Sequence, residues 1–265
     1  MGYVHIVTVG ASLASNFERD RTGQRIPEFE IEGRLQGMRE AERAQYIKEL
    51  TKYLQKRDEE GRIREASAEL NALTRYLDEA SLVYLIHTDT SLGRCCAASL
   101  MRYLRDKGVQ VAEPIEIQGL HSPEGFQRGL ANLVRELARI LTHHRDARIC
   151  ATGGFKPEVA LASVLGFIAR APVYYIHESF REEVHLPALP VDWKYEVRRY
   201  GEALDAVIAS GGEGVDKDQF IRDYGREAYE ELRRSWLTEE RGGRIRATEV
   251  SKAIIEAILQ LSRRG

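Results

Sequence analysis

The chain has 265 residues, 43% hydrophobic and 30% charged, with a formal net charge of −2, room for one large domain or for one of roughly 190 residues with a small appendage. That charge balance excludes broad, sequence-independent binding to long nucleic acid, which needs a basic field, but permits a small anion in a local basic pocket. Cys95, Cys96 and Cys150 form no CxxC pair or zinc-like spacing, there is no basic leader, and no apolar run approaches the roughly 20 residues of a membrane span; the expectation is a reduced, cytoplasmic protein without a membrane segment.

In chain order, "YVHIVTV" (3–9) is a β-branched run ending at Gly10 and reads as a buried strand. Residues 11–31 are polar, with Gly23 and Pro27, and read as a long loop. Two helical stretches follow between Leu35 and Leu77, the first with Leu50, Tyr53 and Leu54 inward, the second with Ala66, Leu70, Leu73 and Leu77 at helical spacing. Their outer faces are dense in Arg, Lys and Glu, as a solvated surface is. "SLVYLIHT" (81–88) is a second strand, with a helix over about 92–107 that stops at Gly108. "VQVAEPIEI" (109–117) is a third strand, which Pro114 puts at an edge or a bend. Ser122 caps a helix with an apolar stripe from Phe126 to Leu141. "ARICAT" (147–152) is the fourth strand and "PVYYIH" (172–177) the fifth. The helix between them carries no charge from Val159 to Ala169, which predicts burial on most sides.

This alternation predicts an α/β fold: a Rossmann-like parallel sheet with helices on both faces and right-handed connections. With strand order 3-2-1-4-5, strands one and four lie side by side where the winding reverses, and ligands bind there beyond the strands' carboxyl ends. After the proline-bearing connector "LPALPVDW" (186–193), residues 194–265 read as a small helical or winged-helix-like domain, with "RGGRIRAT" (241–248) as a turn or wing. The predicted division is 1–190 and 194–265.

The crevice would receive "GASLASN" (10–16) and "TGGFK" (152–156). Gly153 and Gly154 let backbone N–H groups approach an anion closely. Lys156 stands just before Pro157, at a helix end that already carries positive partial charge. That placement costs a few tenths to about 1 kcal/mol unless an anion sits there. A phosphate site and a plain glycine turn with a surface lysine both fit these residues. Ser12 and Asn16 suit hydrogen bonds to phosphate or ribose, or simple turn chemistry. Thr88, Asp89, Thr90, Ser91 and Arg94 follow the second strand, where Thr90 or Ser91 also suits a helix cap. His87 and His177 end strands without a second ligand at useful spacing, so no metal site and no cofactor are expected.

Taken together, "HIVTVGASLASN" (5–16) and "ATGGFKPEVALASVLGFIARAPVYYIHE" (151–178) resemble the CARF domains of CRISPR-associated proteins, most closely the stand-alone ring nucleases that degrade cyclic tetra-adenylate. The resemblance covers about the first 190 residues. Where the family usually has threonine before the serine, this chain has Ala11. The resemblance implies a homodimer with a cyclic oligonucleotide across its two-fold axis. It further implies catalytic roles for Ser12 and Lys156. The ligand-binding positions expected from the loops that follow the strands are Gly10, Ala11, Asn16, Thr88, Asp89, Thr90, Ser91, Arg94, Thr152, Gly153, Gly154 and Phe155. The implied reaction is metal-independent attack of a ribose 2′-OH on the adjacent phosphorus, giving 2′,3′-cyclic phosphate ends and switching off type III CRISPR signalling.

Two other readings belong beside it: a non-catalytic sensor whose winged helix binds DNA and regulates transcription, and a CARF-controlled effector nuclease. Arginines 198, 199, 222, 226, 233, 234, 241, 244 and 246 are balanced by Glu and Asp, which favours a dimerising or lid domain over a DNA reader. The Arg139–His144 and Arg170–His177 spacings imitate those of HEPN ribonucleases but fall outside the C-terminal region, and are discounted.

Overall fold

The computed structural model describes residues 2–154, 156–176, 182–186, 194–234 and 237–262. The chain begins with β1 (Tyr3–Val9) and α1 (Ser12–Thr22). A helical insert follows, made of α2 (Glu28–Gly37), α3 (Glu40–Glu59) and the short α4 (Ala68–Leu73). Alternation resumes with β2 (Ala80–Thr88), α5 (Ser91–Asp106), β3 (Ile115–Ile117) and α6 (Phe126–His143). Next come β4 (Ala147–Cys150), α7 (Lys156–Ala169), β5 (Val173–Ile176) and β6 (Glu183–Leu186).

Among the described residues the main sheet has the order β3-β2-β1-β4-β5-β6. All its pairings are parallel except β5 with β6. This is the predicted doubly wound sheet, with β1 and β4 adjacent at the reversal and an antiparallel edge strand, β6, added. Side-chain alternation along β1 divides the core between the two faces. Val7 and Val9 pack with α1–α5, while Val4 and Ile6 pack with α6, α7 and the last helix.

Five local expectations need correction. Residues 11–31 are not a loop: α1 forms because Leu13 and Ala14 bury completely, and it stops at Gly23, whose φ of 75° suits the left-handed cap. The helical stretch ending at Leu77 breaks into a 3₁₀ turn, α4 and a second 3₁₀ turn. The third strand is confined to 115–117 at the sheet edge, with one isolated bridge at Val111 on the far side of Pro114. Ser122 caps a turn, accepting from Gly125 N–H at 3.1 Å, and the helix starts only at Phe126. Finally, α7 buries Ala162, Leu165 and Gly166 but leaves Ala160 and Val164 exposed. Of the connector, residues 187–193 lie outside the described residues.

The C-terminal part comprises α8 (Lys194–Ala209), β7 (Val215–Asp216), α9 (Lys217–Tyr224), α10 (Arg226–Arg234), β8 (Thr238–Arg241), β9 (Arg244–Ala247) and α11 (Glu249–Ser262). Helices α8, α9 and α10 with the β7-β9-β8 sheet follow the element order of a winged helix, within the helical or winged-helix-like region that the sequence predicts. Gly242 and Gly243, at φ 58° and 72°, turn the β8–β9 hairpin through the paired positive-φ conformation that favours glycine. Its own core gathers Leu204, Val207, Phe220, Tyr229, Leu232 and Ile245. Helix α11 joins both parts: Ala253, Ala257 and Leu261 pack with α6, and Ile255 packs into the C-terminal core.

Candidate ligand site at the crevice between β1 and β4

Strands β1 and β4 run in parallel register from Val4 opposite Ala147 to Val7 opposite Cys150, so the segments that follow them emerge at the same sheet edge. These segments touch. A Cβ on Gly10 would stand 2.8 Å from the backbone nitrogen of Gly154, which is why only glycine fits there. The Thr8 hydroxyl donates to the carbonyl of Gly153, and Thr152 Oγ1 accepts from Ile176 N–H at 3.2 Å, pinning the turn from both sides.

The inner side of this junction is filled by a carboxylate. Glu69, from α4, is 1% exposed. Its Oε1 accepts from Gly10 N–H at 2.8 Å, and its Oε2 accepts from the Ser12 hydroxyl at 3.0 Å. A Cβ on Gly153 would collide with Glu69 Oε1 and stand 2.7 Å from the Thr8 carbonyl oxygen, so that glycine is required by close approach rather than by a positive φ. A second buried acid, Glu158 of α7, approaches the outer glycine: a Cβ on Gly154, at φ 100°, would lie 2.5 Å from Glu158 Oε2. Burial pushes the Glu69 carboxyl above its usual range, against the hydrogen bonds from Gly10 and Ser12 that favour its charged form. Cys96 and Cys150 are buried close by, and desolvation first, with the Glu69 charge adding to it, raises both thiols, Cys150 to about 11. Neither is a nucleophile at neutral pH.

Ser12 opens α1, half-buried, and its oxygen also accepts from Ala68 N–H at 2.9 Å. Lys156 opens α7 and is exposed, and among the described residues it has no hydrogen-bond or ion-pair partner. Of the two glycines, Gly153 is buried and Gly154 exposed, so the outward backbone of the turn is that of Gly154. Gly10, Ala11, Ser12, Thr152, Gly153, Gly154 and Lys156 thus come together at one edge. Phe155 and His177 lie outside the described residues.

The remaining predicted residues are tied into the scaffold. Asn16 donates to the carbonyls of Glu65 and Ala66, each at 3.2 Å, holding α1 against the segment before α4. Thr90 caps α5, accepting from Gly93 N–H at 2.9 Å, and shares a hydrogen bond with Thr88. Glu32 of the insert accepts from the N–H groups of Ser91 and Leu92 at 3.0 and 2.7 Å, so a carboxylate occupies that helix N-terminus too. Asp89 accepts from Gly119 N–H at 2.7 Å and meets His121 at 2.8 Å. Burial raises the Asp89 carboxyl, but these contacts outweigh it and hold the group below the usual carboxylate range. Arg94 forks onto Glu116. His87 is buried with Nδ1 on the carbonyl of Thr88 at 2.8 Å, and burial lowers its pKa. No cluster of three metal-ligating side chains occurs among the described residues.

Glu69 was not among the predicted site residues. Its signal is a charge on an apolar stripe: Ala66, Leu70 and Leu73 bury, and Glu69 shares their face at i+3 from Ala66. A carboxylate there needs donors waiting in the core.

Glycine turns and the exposed Lys156 thus stand at the switch point of a doubly wound sheet, the place where sheets of this kind bind their ligands. Residues 64–189 match the family described as a CRISPR-associated protein (Cas_APE2256), a span that holds Glu69 and the 152–156 turn and begins beyond Ser12. No curated protein matches the chain. Among solved structures the chain is similar to Can2 from Sulfobacillus thermosulfidooxidans in complex with cyclic tetra-adenylate, at 12% identity and a TM-score of 0.35. That overlap covers 96% of this chain and 57% of the Can2 chain, and is too loose to carry structural detail across. No helix among the described residues is long and apolar enough to cross a membrane.

Proposed function

We propose that this protein binds a cyclic oligoadenylate, cyclic tetra-adenylate in the first instance, at the β1/β4 crevice of a two-fold homodimer and opens the ring without a metal. The observation that carries the reading is Lys156: an exposed ammonium at a helix start, without a described partner, next to the exposed Gly154 and on the same sheet edge as Ser12. A helix N-terminus repels a resident cation and attracts an anion, so this pair of features favours a ligand carrying phosphate. The match of residues 64–189 to a CRISPR-associated family supports a cyclic oligoadenylate over other phosphate ligands. The chemistry asks for little beyond placement. A ribose 2′-OH held in line with the leaving 5′-oxygen attacks its own phosphorus, and positioning supplies several kcal/mol of the acceleration. Lys156 against the phosphoryl oxygens stabilises charge as it redistributes in the transition state.

The rival reading as a DNA-binding regulator draws on the winged-helix-like arrangement of residues 194–262. Charge weighs against it. On α10, the helix placed to read DNA in such a unit, Arg226 approaches Glu230 at 4.0 Å and Arg234 pairs with Glu231 at 2.5 Å. Arginines neutralised within their own helix give little phosphate attraction.

Labelled cyclic tetra-adenylate incubated with the protein in EDTA is expected to yield linear products with 2′,3′-cyclic phosphate ends. Lys156→Ala should slow this by about 100-fold or more. Tight binding without cleavage would favour the sensor. Loss of activity in EDTA would refute the metal-free mechanism.

A further inference from the structure

Attack by a 2′-OH requires something to take its proton, and His5 of β1 and His87 of the neighbouring β2 are buried with pKa values pushed down. We infer that Glu69 is the positioning residue and terminal proton acceptor of the site, acting through the Ser12 hydroxyl; the inference rests on the ring-opening reading above. The geometry assigns each bond. Ser12 Oγ donates its proton to Glu69 Oε2 at 3.0 Å and accepts Ala68 N–H at 2.9 Å, which leaves one oxygen lone pair on a half-buried side chain at the ligand edge. A substrate 2′-OH would donate to that lone pair. Gly10 N–H holds the other carboxylate oxygen at 2.8 Å, so the carboxylate cannot rotate away.

As the O2′–P bond forms and the P–O5′ bond breaks, the 2′ proton passes to Ser12 Oγ while the Ser12 proton passes to Glu69. The departing 5′-oxygen takes a proton from water, and the hydroxide left behind returns Glu69 to the carboxylate. Atoms and charge balance without a further reactant. A buried carboxyl with a raised pKa is a stronger base than an exposed one, and nearer in pKa to the pH at which it must work.

The charged and titratable groups around Glu69 are few. Cys96 faces it from α5 and Cys150 from β4, both thiols kept protonated by burial. Glu158 of α7 lies across the glycine pair, and Lys156 stands at the rim. A rising pH limb in the cleavage rate is therefore assigned to the relay only if substitution of Glu69 removes it.

The test measures single-turnover cleavage of labelled cyclic tetra-adenylate from pH 5 to 9, with binding measured on the same samples. Wild type should show a rate that rises with pH and then levels. Glu69→Gln keeps an oxygen for Gly10 but turns a donor towards Ser12; it should lose about 100-fold in rate and the rising limb together, with ligand affinity and melting temperature close to wild type. Glu69→Asp should recover part of the rate and the limb. Ser12→Ala should flatten the same limb, and adding Glu69→Gln to it should cost little more, because the two act as one relay. If Glu69→Gln cleaves at the wild-type rate with the same pH limb, or if only its melting temperature falls, the relay is wrong and the ring nuclease stands. If wild type cleaves nothing, both fall.

Discussion

At the scale of single residues, His5 has a consequence for stability. It lies in the middle of β1 with its ring wholly buried, Nδ1 2.7 Å from the Tyr174 hydroxyl, and the Tyr76 ring stacked at 5.7 Å. Burial foremost, and then the positive charge of Arg148, lowers its pKa from 6.5 to about 4. The folded protein keeps this imidazole neutral at a pH where the unfolded chain protonates it. Between pH 6.5 and about 4 the unfolded state therefore binds more protons, and stability falls as pH falls through that window. The loss attributable to His5 should reach roughly 3 kcal/mol at the acid end. Glu69 works in the opposite sense: its raised pKa costs stability as pH rises through the folded value. Denaturant melts at stepped pH should show the acid slope in wild type and a shallower slope in His5→Gln, whatever the variant's stability at pH 8. Parallel slopes would mean that the imidazole is not held neutral.

At the scale of elements, the alternating strands, their order and the glycine turn before α7 were all legible, because each rests on local periodicity or on φ-permissive residues. The first helix was not. In Ser12–Thr22 apolar residues are few among Glu, Arg, Asp and Asn, and the helix is held by tertiary contacts: buried Glu18 meets Arg21 at 2.7 Å, the Tyr46 hydroxyl at 3.1 Å, and Arg34. Partners from α2 and α3 cannot be read from the residues of α1. Glu69 was hidden for the same reason, since its donors Gly10 and Ser12 are more than fifty positions away. In α7 the absence of charge is legible, but it does not translate into burial on most sides. One face packs tightly, a Cβ on Gly166 lying 2.5 Å from Val173 Cγ2, while Val164 is 39% exposed. An uncharged outer face on the helix that starts with Lys156 is suited to the two-fold contact proposed above, which would set two lysines about one axis. Val164→Glu should move the protein from dimer towards monomer in sedimentation equilibrium. Phe29→Glu, on the exposed side of α2, should not, although Phe29 is the more exposed at 75%. A monomeric wild type, or an unaffected Val164→Glu dimer, would remove α7 from the interface.

At the scale of the whole molecule, α11 decides whether the C-terminal part is an independent appendage. Ala253 and Ala257 are fully or almost fully buried against α6, small residues that let the two helices approach closely. Arg135 of α6 reaches Glu256 at 3.3 Å and Glu249 at 3.9 Å along the same seam. Two residues on from Ala253, and so on the opposite face of the helix, Ile255 is 5% exposed and packs into the core with Phe220, Tyr229 and Leu232. A helix with one face in each core couples their unfolding, because losing it exposes apolar surface in both. Ala253→Leu adds volume where there is none to spare, at a cost of about 1–3 kcal/mol. The overpacking falls on the α6 side, so the Ile255 side should keep its contacts while the seam opens. Calorimetry should then show one transition in wild type and two in the variant, with amides of α11 and α6 exchanging faster and those of α9 and α10 little changed. A single transition that merely shifts downward would mean that the cores are joined by more than this helix.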